Sequence, residues 1–167
     1  VKFEVGDRVV YASHGVGRVT ARKELDISGE QQEVIVVELG NELTVTLPIG
    51  RAQSQLRPLA NGADLKRVRE ALCEDVQLST GNWLSRRTET MKKLTGGSPV
   101  ALAEIVSEGA QRERVRQAQG AKPQLSPGEQ EAFGKARLLL SGEIALALDI
   151  EHAAAESWIN RHLSRSD

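Results

Sequence analysis

A chain of 167 residues is long enough for one ordinary domain or two small ones, and 40% hydrophobic with 27% charged residues is the balance of a soluble globular protein. No apolar run reaches the roughly 20 residues that a bilayer-crossing helix needs, and the charged, β-patterned opening Val1-Lys2-Phe3-Glu4-Val5 has no leader-like character, so the expectation is a cytoplasmic protein with no membrane partner. A formal net charge of −1, divided evenly along the chain, excludes a general cationic coat for nucleic acid and confines any such contact to local patches.

The first 59 residues read as β-structure. Val9-Val10-Tyr11, Val16-Gly17-Arg18-Val19, the run Glu33–Glu38 and the run Leu43–Leu47 are short and rich in β-branched residues. Between them Gly6-Asp7, His14-Gly15, Ser28-Gly29 and Gly40-Asn41 supply the residues that tight reversals need, and Pro48 ends the last long strand. About five strands in so short a segment predict a small antiparallel barrel of the SH3 or Tudor type.

From Asn61 the apolar period becomes helical, which places a domain boundary near Pro58 to Gly62. A first helix is expected over Ala63–Cys73, with Leu65, Val68 and Leu72 on one face and Cys73 as a small buried hydrophobe. A second runs from Thr80 or Asn82 to Leu94 and stops at Gly96-Gly97; a third starts with Ser98 as N-cap and Pro99 in its first turn. After a break at Gln119–Pro123, Ser126-Pro127-Gly128-Glu129 reads as a capping box opening a fourth helix. Its stripe is Phe133, Ala136, Leu140, Ile144 and Ala147, and a final helix near His152–Leu163 carries Ala155, Trp158, Ile159 and Leu163. The fold class is therefore two-domain α+β, with a β-barrel over 1–59 and an all-α domain of about five helices over 60–167.

Enzyme chemistry finds no support. His14, His152 and His162 are scattered, and no Cys/His or His/carboxylate spacing suits a metal. Gly15-Val16-Gly17 lacks the third glycine of a phosphate loop and precedes a strand rather than a helix. Asp149 and Glu151 sit near a helix start for reasons of dipole, and no nucleophile, base and oxyanion set can be assembled. A reader of modified peptides would need an aromatic cage, for which Phe3 and Tyr11 are too few. The expectation is a non-enzyme with no cofactor, no metal and no small-molecule substrate.

The string from Phe3 to Val19, FEVGDRVVYASHGVGRV, resembles the opening of the CarD/CdnL family of bacterial transcription regulators, shared with the polymerase-interacting module of transcription-repair coupling factors. The resemblance continues through Gly29-Glu30-Gln31, Leu43-Thr44-Val45 with Pro48, Asn82-Trp83, Ser126–Glu129, Lys135-Ala136-Arg137 and Ser141–Ala147, spanning nearly the whole chain. It implies a Tudor-like module that pairs with the RNA polymerase β subunit, here through the strands around Lys23, Leu25 and Ile27 and around Thr44 and Thr46. It also implies a helical domain that binds promoter DNA at the upstream fork of the transcription bubble. Many relatives carry arginine where Leu25 and Thr46 stand. That departure, with the neutral charge, keeps a second reading open, an adaptor that docks polymerase or another regulator and barely touches DNA.

Trp83 stands out on chemistry as well as resemblance: it follows Thr80-Gly81-Asn82 at a helix start and is trailed by Arg86, Arg87, Lys92 and Lys93. The resemblance makes it a wedge in the minor groove at the bubble edge, as minor-groove proteins insert apolar side chains at distorted steps. Its ordinary alternative is core packing, which is the reading for Trp158. Arg86 and Arg87 are expected to bind phosphates, although relatives usually show Trp-Ser-Arg where Leu84 intervenes here, so either arginine could be the one. Lys135 matches a lysine that accompanies DNA in the family, with a solvated helix face as its alternative. Arg112, Arg114 and Arg116 form either a second phosphate stripe or a solubilising one.

Overall fold

The computed structural model describes residues 2–40, 42–75, 78, 82–120 and 125–163, and for Ser13 the backbone alone. The chain divides into two compact units, Val1–Leu59 and Ala60–Asp167, each with its own core.

In the first unit the strands are β1 (Arg8–Tyr11), β2 (Gly15–Ile27), β3 (Glu30–Leu39), β4 (Thr44–Pro48) and β5 (Leu56–Pro58), and a short helix α1 spans Ile49–Gln55. They form an antiparallel sheet in the order β4-β3-β2-β1-β5. The sheet is open, so the expected small barrel does not close: β4 and β5 do not pair. The seven residues between them coil into α1, which packs on β3, β4 and β5 and buries Ala52 completely. A helix that the sequence pattern did not predict thus covers the core of Val9, Val19, Ile35, Val37, Leu39, Leu47 and Leu56. At Gly17 the sheet is tight, since a Cβ would lie 2.8 Å from the Glu38 carbonyl oxygen.

The β2–β3 hairpin is much longer than its apolar runs suggest. Ile27 pairs with Glu30, and Ser28 and Gly29 make the reversal with φ of 56° and 86°, the two left-handed residues of a tight two-residue turn. Asp26 Oδ1 accepts from the Gly29 N–H at 3.0 Å. A β-bulge interrupts the hairpin: Val19 pairs with Val37 but Ala21 pairs with Val36, leaving Thr20 as the extra residue.

The second unit holds α2 (Gly62–Cys73), α3 (Trp83–Gly96), α4 (Pro99–Ala118), α5 (Pro127–Leu148) and α6 (His152–Leu163); six α-helices are described in all, where about five were expected and all of them in this unit, the addition being α1 of the first unit. Helices α4 and α5 are central, with α2 and α6 against them and α3 lying across both. Val68, Leu72, Leu102, Ile105, Leu140, Ile144 and Ile159 fill the core. Local chemistry fixes the helix ends. Asn61 and Asp64 form a reciprocal capping box at α2, Ser98 Oγ accepts from the Ala101 N–H at 3.1 Å, and Gly97 closes α3 in the left-handed conformation. The box expected at Ser126 is not formed: its side chain makes no capping hydrogen bond, and Glu129 is used elsewhere. Buried Glu143 of α5 accepts the Ala60 N–H at 2.9 Å, tying the entry of this unit to its central helix. Cys73 is half-buried rather than buried, its thiol 3.2 Å from the His162 carbonyl oxygen.

Candidate nucleic-acid interface

Asn82 sets the start of α3. Its side chain accepts from the Ser85 N–H at 3.1 Å while Ser85 Oγ donates to the Asn82 carbonyl at 2.8 Å. Thr80, the alternative start that the sequence offers, lies outside the described residues. The first turn of α3 therefore presents Trp83, Leu84 and Ser85 and contains no acidic residue, so nothing there opposes the positive end of the helix dipole.

Trp83 is half-buried and lies outside the helical core, whereas Trp158 packs against it. The indole rests on the first turn of α5: a Cβ on Gly128 would fall 2.5 Å from Nε1, so only glycine permits this approach. Phe133 meets the ring at 6.4 Å in a tilted arrangement, and the Arg86 guanidinium carbon stands 5.8 Å from its centroid. The rest of the ring lines two grooves. One, of about 350 Å3, also touches Arg86, Arg116 and Glu129; the other, of about 260 Å3, touches Leu84, Arg87, Met91 and Lys135.

The adjacent arginines have opposite surroundings. Arg86 turns inward and forms an ion pair with Glu129, their side chains only 12% and 7% exposed. Its Nε and Nη1 have no hydrogen-bond partner among the described residues, so its guanidinium is held by one carboxylate and the indole face. Arg87 and Lys135 are exposed and line the same groove as Trp83. Of the stripe on α4, Arg112 pairs with Glu108 at 2.9 Å and Arg114 donates to the Leu163 carbonyl at 2.8 Å.

Leu84, which the sequence marks only as the residue that intervenes after Trp83, was not among the expected site residues. It is 75% exposed, more than any other large apolar side chain described, and it shares its face with Met91, seven residues on and 38% exposed. The signal was available: both fall off the face defined by buried Thr90 and Leu94.

In the β unit, cross-strand pairing places Lys23, Leu25, Ile27, Thr44 and Thr46 on one face of the sheet. Lys23 is opposite Val34, Leu25 opposite Gln32, Ile27 opposite Glu30, Thr46 opposite Val36 and Thr44 opposite Glu38, whereas the core residues Ile35, Val37 and Leu39 alternate with those partners. All five are exposed, with Leu25 at 42% and Ile27 at 36%. Beyond the bulge β2 has only β3 beside it, and β4 is the outer strand of the sheet, so both present strand edges among the described residues.

Among the described residues no group of three or more His, Cys, Asp or Glu is placed to hold a metal, and no helix is long and apolar enough to cross a membrane. The chain is similar over 108 residues, at 26% identity, to the Bacillus subtilis (strain 168) protein named "Putative transcription factor YdeB", a match covering 64% of this chain and 71% of that protein. Residues 3–60 match the family model described as CarD-like/TRCF RID domain, and residues 67–160 match that described as CarD, C-terminal domain. With both compact units matched in the order that family has them, the chain belongs to the CarD/CdnL family.

Proposed function

We propose that this protein is a cytoplasmic transcription regulator, not an enzyme, that holds the RNA polymerase β subunit through its β unit and promoter DNA at the upstream fork through the seam of α3 and α5. Membership of a regulatory family supports the transcription-related role. The observation that carries the DNA assignment is the partly open indole of Trp83, which lines one groove with two exposed cations, Arg87 and Lys135, and with Glu131, at an acid-free helix start. Those cations neutralise phosphates and orient the helix while the apolar groups meet the minor groove. Of the two arginines expected to reach the backbone, Arg87 takes that role and Arg86 anchors the ring. No metal, cofactor or small-molecule substrate takes part.

The β unit docks by adding its edge to a partner sheet. A strand edge satisfies its backbone groups against the partner while side chains on one face select it. Lys23, Leu25, Ile27, Thr44 and Thr46 supply that face. Tethering then presents the α3 wedge to DNA at high local concentration. A wedge that binds melted DNA about 1.4 kcal/mol better than closed duplex shifts the opening equilibrium tenfold.

The test is the lifetime of open complexes formed by purified polymerase with full-length protein. Trp83→Ala is expected to shorten that lifetime toward the factor-free value while polymerase retention is unchanged; loss of both together points to misfolding. The adaptor reading draws on the exposed apolar pair Leu25 and Ile27. Titration of forked promoter DNA at two salt concentrations separates the two, because salt-insensitive or absent binding favours the adaptor.

A further inference from the structure

We infer that Leu84, not the indole alone, is the advancing tip of the wedge, with Trp83 as the platform behind it; this rests on the promoter-fork reading above. Trp83 has limited freedom to advance, since its Nε1 edge is pressed against the Gly128 backbone and its ring is flanked by Arg86 and Phe133. Leu84 is the next residue of the same helical turn and is 75% exposed. An apolar side chain so open at the rim of a groove shared with the indole loses water contact only when something covers it.

Charge identifies the cover. Arg87 stands one turn along the same helix, Lys135 lines the same groove from α5, and the first turn of α3 has no acid; among the described residues Glu131 is the one carboxylate on this groove. An apolar tip that shares a groove with two cations at a helix N-terminus matches a polyanion with an exposed flat apolar face, which is an unstacked base beside its phosphates. Leucine is among the side chains that minor-groove proteins insert at base steps.

The experiment uses the full chain and a forked duplex carrying 2-aminopurine at the junction, whose fluorescence rises when the base unstacks. Wild type is expected to raise it, Leu84→Ser to lose most of the rise and roughly tenfold in affinity, and Leu84→Met to restore both, with thermal melting unchanged in each variant. If Leu84→Ser leaves signal and affinity intact while Arg87→Ala and Lys135→Ala weaken binding, the DNA surface stands and the role of Leu84 is overturned. If neither cation variant weakens binding, the fork reading itself falls and takes the inference with it. Unchanged DNA binding with loss of polymerase retention assigns Leu84 to a protein contact and equally overturns it.

Discussion

Arg86 and Arg87 show how one step along a helix, about 100° of rotation, separates two environments, one buried and one exposed. Removing Arg86 leaves Glu129, 7% exposed, as an uncompensated buried carboxylate, and takes away the cation over the indole. Arg86→Ala is therefore expected to cost about 3 kcal/mol, read as a fall in the urea midpoint at unchanged slope. Arg87→Ala is expected to change stability by under about 0.5 kcal/mol while weakening forked-DNA binding and lowering the salt slope by about one. Gly128 belongs with this pair. Gly128→Ala drives a methyl into the indole nitrogen edge, so a shifted tryptophan emission with a nearly native fold is the expected outcome.

At the scale of elements, the bulge at Thr20 has the widest effect. Strict alternation from the buried Val19 would send Ala21, Lys23, Leu25 and Ile27 to the core face. The extra residue reverses that parity, so Leu25 and Ile27 share an outer face with Thr44 and Thr46, and Arg22 turns to the other side, where it pairs with Glu33 and donates to the Phe3 carbonyl at 3.2 Å. Replacing both Leu25 and Ile27 by Glu is expected to leave melting unchanged and reduce retention of polymerase, measured by pull-down. Gly17→Ala, by contrast, forces a methyl to 2.8 Å from the Glu38 carbonyl and is expected to destabilise the β unit by about 1–3 kcal/mol, read by chemical denaturation. Helix punctuation was legible: Ser98-Pro99 and Gly97 act where the residues alone place them, because a cap is a contact within one turn. At Ser126 the same logic misled, since Glu129 found Arg86 43 residues away and that partner outweighed the local box.

For the whole molecule, separate cores mean that the proposed polymerase and DNA contacts are expected to be separable. Residues 1–60 alone are expected to retain polymerase in a pull-down without stabilising open complexes. Affinity of the full chain for forked DNA is expected to fall with salt at a log–log slope of about −2, the value for two phosphate contacts, rather than the steep dependence of a basic protein. The amino-acid sequence by itself determined the change of period near residue 60, the helix ends and the density of turns, because these depend on interactions within a few residues of chain. Tertiary structure alone decided that α1 covers the sheet, that Arg86 is buried and Arg87 open, and that Leu84 projects beside Trp83. Burial is settled by which distant segment arrives, and neighbours in sequence can be a hundred degrees apart on a helix.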